Sequence, residues 1–417
     1  MPGILIKDVD YQGAVGDYLI LAKPGRLVEM GNWDHIIDGK GLMMIPPLFD
    51  RHVHFRDPGF TEKEDLISGA RSAAAGGYAQ VWCEPNTRPV IDTPDAVMEF
   101  FQRKRALNLP IAVQTKCALT RGQCGDELVD IPELVMMSSQ AWCRHLSSDG
   151  EPIVDRDLLI KAARQAAPSQ DNDDTEIDLH CEETPFSSAR LREVLGDGPA
   201  MAREPELIRL ALSAFTEARE VGLHIQHVSM AESVYFIAEA KAAGMMIVSA
   251  EVTPHHLLLC EDDIPLRGGE RDPNWKMNPP LRSREDMLAM RKALADGTID
   301  YIATDHAPHT PAEKALTWAD APFGVIGLET AFGACMTLVH SGELSFSRLL
   351  QAMAFTGGDV FNSSVTLIDP QHAWAVDPDK FYSKGRNCPF AGMTFKGKPI
   401  YTIAGGKLVM AEGEVLF

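Results

Sequence analysis

The sequence predicts an α/β chain: a distorted (β/α)8 barrel of the TIM type with a small β-sandwich built from both termini. Three observations carry this expectation. Eight apolar, β-rich stretches alternate with helix-like stretches through the middle of the chain. Histidines and acids gather at the C-terminal ends of those stretches, the rim where barrel enzymes place their active sites. Both ends of the chain break the alternation and read as short strands with turns.

The elements follow in order. Residues 1–46 hold "GILIKDVDY", "GDYLILAKPGRLVEMG" and "HIIDGKGLMM", each a short strand pattern closed by a turn. The barrel stretches are "LMMIPPLFDRHVH" (42–54), "YAQVWCEPN" (78–86), "PIAVQTKCAL" (110–119) and "AWCRHLSSD" (141–149), then "EIDLHCEE" (176–183), "LHIQHVS" (223–229), "MMIVSAEVTP" (245–254) and "IDYIATDHAPH" (299–309). Helical patterns lie between them at 61–75, 93–107, 155–167, 203–221, 231–243 and 284–296. Threonine or serine often precedes them and acids occupy first turns, as helix starts prefer. "AGG" and "AAG" close two of them, since glycine suits a helix end. Residues 366–417 return to short strands. Neither terminus alone has enough strands for a core, so the expected division is a barrel over 47–365 and a composite β-sandwich from 1–46 plus 366–417. The acidic "SQDNDDTE" at 169–176 reads as a solvated surface loop.

Composition narrows the function. The chain has 417 residues, 45% hydrophobic and 24% charged, an ordinary globular balance. A formal net charge of −20 argues against a nucleic-acid partner, which calls for a basic face. No run of about 18 apolar residues suggests a membrane span. The start, "MPGILIKDVDYQG", lacks a basic region followed by a long apolar stretch, so a cytoplasmic protein is expected. Eight cysteines are scattered without a CxxC pair. They read as reduced, mostly buried thiols and not as a zinc site.

The stretch "FDRHVHFR" (49–56) puts His52, His54 and Arg56 at alternate positions, which in a strand face the same side. A lone histidine in a strand is most simply a satisfied core residue. Eight of the thirteen histidines, however, fall at or just after strand ends: His52, His54, His180, His227, His255, His256, His306 and His309. Asp149 ends the fourth strand and Asp305 the eighth. His52, His54, His180, His227, Asp149 and Asp305 suit a pair of zinc ions with one carboxylate between them, an arrangement that acidifies water and polarises an acyl oxygen. A single zinc, with the remaining groups hydrogen-bonded around it, is the alternative that spacing leaves open.

"HVHFRDPG", "EPNTRPV", "HVSMAESV", "AEVTPHHLLL", "KMNPPLRS", "DYIATDHAPHT" and "APFGVIGLETA" together resemble the bacterial class of dihydroorotases within the amidohydrolase superfamily. The terminal segment "SKGRNCPFAGMTFKGKPIYTIAGGKLV" is similar as well, so the resemblance spans nearly the whole chain. It implies two zinc ions: one held by His52, His54 and Asp305, the second by His180 and His227, with Asp149 and a hydroxide bridging them. Many amidohydrolases bridge through a carbamylated lysine; this class uses the second aspartate of an Asp-Asp-Gly stretch. Here the stretch is "SSDG", with Ser148 in the first position and Asp149 retained. The fourth strand has no lysine, and Lys116 on the third is a poor substitute.

The resemblance further implies reversible cyclisation of N-carbamoyl-L-aspartate to dihydroorotate in pyrimidine synthesis. Asp305 is the implied catalytic group, passing a proton from the attacking hydroxide to the leaving nitrogen. His54, Arg56, Asn86 and His309 are implied to surround the substrate carboxylate, which a guanidinium grips with two parallel hydrogen bonds. Asn278 and the backbone at Phe323 and Gly324 are implied to meet the ring's amide edge, with 310–323 as a covering loop. From residues alone, Asn86 reads as a turn-former, and His255, His256, Glu251 and Glu329 read as supports. The implied partners are the small-molecule substrate, a second copy in a homodimer, and aspartate transcarbamoylase; no nucleic acid or membrane is expected. Two rivals stand beside this reading. Allantoinase or dihydropyrimidinase usually carries the lysine bridge, and an inactive homologue scaffolding aspartate transcarbamoylase is expected to have lost metal ligands.

Overall fold

All eight expected stretches carry a strand in the computed structural model, which describes residues 3–21, 33–141, 144–167, 175–184, 193, 203–218, 221–245, 247–354 and 363–417. The acidic stretch 169–176 lies outside them apart from its last two residues. The barrel strands are β1 (Leu48–Val53), β2 (Tyr78–Cys83), β3 (Ala112–Thr115), β4 (His145–Ser147), β5 (Glu176–Leu179), β6 (Gly222–Ile225), β7 (Val248–Val252) and β8 (Tyr301–Ile302). Every neighbouring pair along β1–β3 and β4–β8 is parallel. β3 breaks at Lys116 and resumes at Cys117–Ala118, which pairs with β4 and so joins the two runs. A parallel bridge between Val53 and His306, with the His54 amide 2.8 Å from the His306 carbonyl, brings the last strand back to the first.

Helices cover the outside: Leu66–Ala75, Pro94–Ala106, Ile131–Ala141, Arg156–Ala166, Glu204–Phe215, Ala231–Ala242, Arg284–Asp296 and Ala331–Ser341. Their starts follow local chemistry. The first begins at Leu66, five residues later than expected, because the Asp65 carboxylate accepts the Ile67 and Ser68 amides while Ser68 returns a bond to the Asp65 amide. Gly77, closing that helix, has φ +90 and lets the chain turn sharply into β2. Among the described residues no helix is long and apolar enough to cross a membrane.

The apolar core between helices and strands holds residues such as Leu66, Tyr78, Val113, Phe100 and Ile225, each contributing about 1.5–3 kcal/mol by burial. The barrel interior itself is charged. Arg51 pairs with Glu176 and lies 4.0 Å from Asp178; Lys116 Nζ sits 2.6 Å from both Glu84 and Asp178. Glu84 also accepts from Ser147 Oγ at 2.6 Å and Gln226 Nε2 at 2.9 Å. This layer forms the floor beneath the C-terminal rim.

Strands from both termini form one hydrogen-bonded sheet. Met43–Ile45 from the N-terminal region pairs antiparallel with Val365–Ala375, Thr366 opposite Ile45. Ile4, Ile6, Val9, Ile37, Met44, Leu367 and Ile403 pack between these strands. The sheet is anchored to the N-terminal side of the barrel by Thr366 Oγ1 on the Gly77 carbonyl (2.7 Å) and Thr402 Oγ1 on the Ala74 carbonyl (2.9 Å).

Two local expectations are corrected. β1 ends at Val53, with a register shift after Asp50, so His54 and Arg56 lie beyond the strand and do not share its alternation. The chain turns instead, with Arg56 at φ +58. Cysteines 83, 124, 181, 260, 335 and 388 form no disulfide, but Cys117 is disulfide-bonded, a pairing set by tertiary proximity and not by CxxC spacing.

Candidate active site

The ends of five strands converge on one buried cluster. His52 closes β1 and His54 follows it; Asp149 follows β4, His180 follows β5, His227 follows β6 and Asp305 follows β8. All six side chains are buried. His52 Nε2 lies 3.4 Å from Asp149 and 3.6 Å from Asp305, and His54 Nε2 lies 3.0 Å from Asp305 and 3.5 Å from Asp149. On the other side His180 Nδ1 and His227 Nε2 are 2.9 Å apart, at 3.5 and 3.4 Å from Asp149 Oδ1. Two ligand groups result, His52–His54–Asp149 and Asp149–His180–His227, and Asp149 belongs to both.

Three observations fit this donor set to divalent cations. His52 Nε2 is buried, aims into the cluster and has no hydrogen-bond partner. Among the described residues, the ion pairs of Asp149 and Asp305 run to histidines alone, so two buried carboxylates lack a side-chain cation in contact. The surroundings also favour positive charge. Burial works against a charged His52, yet Glu84, Glu251 and Asp149 outweigh it and draw its pKa well up. Burial likewise pushes the Asp149 carboxyl up, but the charge of His52 and hydrogen bonds from His180 and His227 hold it well below the usual carboxylate range. Asp305 is held low in the same way, chiefly by its bond to His54 and the charge of His52. Imidazole and carboxylate donors at such spacing suit zinc or a similar ion.

Partners behind the cluster orient it. Glu251 Oε1 takes His52 Nδ1 at 2.6 Å, which turns Nε2 toward the centre, where its lone pair would be free for an ion once the ring is neutral. The other Glu251 oxygen is 3.0 Å from His224 Nε2. Asn86 accepts from His54 Nδ1 (2.9 Å) and donates to Asp149 Oδ2 (2.9 Å), locking a ligand from each side. The support role read for Glu251 therefore has a definite contact, while Asn86 holds metal-ligand candidates as well as facing the cavity. Lys116 points into the floor, between Glu84 and Asp178, and belongs to neither group. His255 and His256 also stay outside; His256 bonds Thr253 Oγ1 and the Pro279 carbonyl.

A cavity of about 200 Å³ opens on this cluster. His54, Asp149, His180 and Asp305 line it together with Arg56, Asn86, Asn278, Phe323 and Gly324. Arg56 Nε and Asn278 Oδ1 are buried there without hydrogen-bond partners, one donor and one acceptor presented to the same space. His309 is not part of that lining. Its Nε2 donates to the Phe323 carbonyl at 2.7 Å, so it braces the wall from behind. Loop 310–323 packs over this side, held by Lys314 Nζ on the carbonyls of Pro273, Lys276 and Pro322 (3.0, 3.1 and 2.8 Å). Gly150, Thr184 and Ala307 also line the cavity. The "DG" of "SSDG" was the available signal for Gly150, whose φ is +88, whereas Thr184 is held by a side-chain bond to Glu151 at 3.1 Å that the sequence does not announce. Arg56, His227 and Asp305 are non-glycine residues with φ of +58, +34 and +48, a conformation that collects at functional sites.

Residues 139–409 match the model of the Amidohydrolase family and residues 41–184 that of the Dihydro-orotase-like family. The chain belongs to the amidohydrolase family, in its dihydroorotase branch. Among amidohydrolases, it is 39% identical over 415 residues to a dihydroorotase of Bacillus subtilis (strain 168), covering 94% of this chain and 92% of that one. A dihydroorotase of Bacillus pumilus (strain SAFR-032) is 38% identical over 412 residues, covering 93% and 92%. The amidohydrolase fold is shared with the L-hydantoinase (dihydropyrimidinase) of Arthrobacter aurescens, at a TM-score of 0.82 and 24% identity over 100% of this chain and 98% of that one. A dihydropyrimidinase of Brevibacillus agri NCHU1002 gives 0.81 and 18%, over 99% and 96%.

Proposed function

We propose that the chain is a dihydroorotase, a cyclic-amide hydrolase that reversibly closes N-carbamoyl-L-aspartate to (S)-dihydroorotate. One observation carries the reading: a carboxylate common to two histidine groups, Asp149, shares a cavity with the unpartnered guanidinium nitrogen of Arg56. His52, His54 and Asp305 would hold one zinc, His180 and His227 the second, and Asp149 both. Bound there, the ions supply an acidified water and Lewis-acid polarisation of the ring carbonyl.

The residues of the chain do the rest. Asp305 is kept ionised by its histidine neighbours. In the ring-opening direction it takes the proton of the attacking water and returns it to the ring nitrogen as the amide bond breaks. Arg56 pairs with the substrate carboxylate, whose charge complements the guanidinium that lines the cavity with Asp305 and Asp149. Asn278 Oδ1, buried and unpartnered, accepts a ring N–H. Phe323 and Gly324 close the remaining side and keep bulk water from the reacting atoms. The reverse reaction runs the same proton transfers backwards and releases water.

Hydantoin and dihydropyrimidine rings carry no carboxylate for Arg56, which separates this reading from the activities named for the structural neighbours. The test is a turnover assay on purified protein with dihydroorotate, allantoin and dihydrouracil, with a metal count on the same sample. Dihydroorotate hydrolysis with close to two zinc per chain is expected. Turnover of allantoin or dihydrouracil without dihydroorotate would reverse the choice, and a single zinc would remove the shared-carboxylate centre.

A further inference from the structure

The C-terminal segment that leaves the barrel returns to the active site. Residues 383–390, "SKGRNCPF", connect two paired strands of the terminal sheet, Val365–Ala375 and Thr394–Ala404, and on the way reach back to segments at the C-terminal ends of the barrel strands. Asn387 in this segment is 1% exposed, and its side chain spends every polar atom on backbone of the substrate cavity. Nδ2 donates to the Ala307 carbonyl at 3.0 Å and to the Gly324 carbonyl at 2.9 Å, while Oδ1 accepts the His309 amide at 3.3 Å. Its own carbonyl accepts the Ile326 amide at 2.9 Å.

Two of these four backbone partners, Ala307 and Gly324, line the cavity itself. They come from segments that sequence separates: 306–309 follows β8, and 323–326 follows the covering loop. The approach is tight. A Cβ on Gly324 would stand 2.7 Å from the Ala307 carbonyl oxygen and 3.1 Å from His309 Cδ2, and Gly324 has φ +136. Two carbonyl oxygens that converge on one point repel unless a donor sits between them, and the Asn387 amide is that donor. Its oxygen meanwhile fixes the His309 backbone, and His309 in turn supports the Phe323 carbonyl.

We infer that Asn387 is a positioning residue for the substrate pocket: it fixes the spacing of the Ala307 and Gly324 walls and the seat of His309, so a residue outside the barrel sets substrate affinity. The inference rests on the reading of this cavity as the dihydroorotate site. The side-chain hydrogen bonds of Asn387 to His309, Ala307 and Gly324 involve none of the six metal-ligand candidates, so metal loading is not part of its role.

The decisive measurement is a KM-against-kcat split in Asn387→Asp and Asn387→Ala, with orotate binding by calorimetry as a second readout. Asn387→Asp keeps the acceptor for His309 but turns two donors into lone pairs facing carbonyls. The expected result is a KM for dihydroorotate and a Kd for orotate raised about tenfold or more, with kcat within about threefold and zinc content unchanged. Thr366→Val is the control: it removes a side-chain bond to barrel backbone of the same kind, at the far end of the barrel, and should lower Tm without moving KM. Unchanged KM and orotate Kd in folded Asn387 variants, with Tm alone lowered as in Thr366→Val, would overturn the inference. Wild-type protein supplies a readout independent of variant folding. Saturating orotate should slow hydrogen exchange in peptides spanning 383–390 together with those spanning 306–310 and 323–327; protection of the last two without the first would equally overturn it. Failure of the wild type to turn over dihydroorotate or bind orotate would strike the functional reading instead.

Discussion

Two layers of buried charge lie one above the other inside the same barrel, and they solve the same problem differently. In the floor, Glu84, Glu176 and Asp178 meet cations that the chain itself supplies, Arg51 and Lys116. At the rim, among the described residues, the ion pairs of Asp149 and Asp305 run to histidines alone. The floor even contains a third group with ligand-like spacing, His145–Glu176–Asp178, but Arg51 already pairs with both of its acids. Ligand spacing alone therefore does not mark a metal site; the absence of an internal counter-charge does. Glu329, outside both layers, shows a third solution. Burial pushes its carboxyl up to about 8, so it keeps a proton in place of a cation.

The comparison breaks most visibly at the rim. Asp305→Asn should cut turnover by about 10³-fold or more, because it removes the proton carrier at the rim. Wild-type-like kcat in that variant would take Asp305 out of the chemistry. The floor should respond in the opposite way. Lys116→Met strands Glu84 and Asp178 without their cation, so urea unfolding should show a loss of about 3–5 kcal/mol. A variant as stable as the wild type would mean that the floor does not need its internal cation.

Smaller effects sharpen the contrast. Arg56→Met should raise KM for dihydroorotate about 10- to 100-fold with a lesser change in kcat, since the lost contact is made to substrate and transition state alike. An unchanged Michaelis constant would count against the carboxylate pocket. Glu329→Gln should show a pH-dependent gain. The folded carboxyl titrates near 8 against an ordinary value of 4.5, so folded protein holds a proton that unfolded chain releases between those values. The stability this group adds is full below about 4.5 and is lost as pH rises through about 8. The glutamine variant lacks that loss, so its Tm advantage over the wild type should widen from about pH 5 to pH 8. A gap that stays constant across that range would show that Glu329 does not carry the proton.

Much of this was legible residue by residue. Periodicity located the eight strands, and the gathering of His52, His54, His180, His227, Asp149 and Asp305 at strand ends located the cluster that the fold assembles. Alternation misplaced Arg56, because a strand's pattern says nothing of where a turn with positive φ interrupts it. His309 was expected at the substrate, and packing adds a contact that the sequence did not announce, its Nε2 on the Phe323 carbonyl. Glu84, Gln226 and Asn387 carried no local signal: each looks like an ordinary polar residue until distant segments pack against it. Cys117 likewise required a partner brought close by packing.

The sequence by itself determined the alternation of strand and helix, and with it which ends of which strands carry imidazole and carboxylate, because side-chain period and capping chemistry are local. Tertiary structure alone decided that Asp149 stands between two histidine groups, that the floor neutralises itself while the rim does not, and that Asn387 reaches back into the pocket. Those are sums of Coulomb and hydrogen-bond terms over segments up to hundreds of residues apart, and such sums exist only once the folded chain fixes the distances.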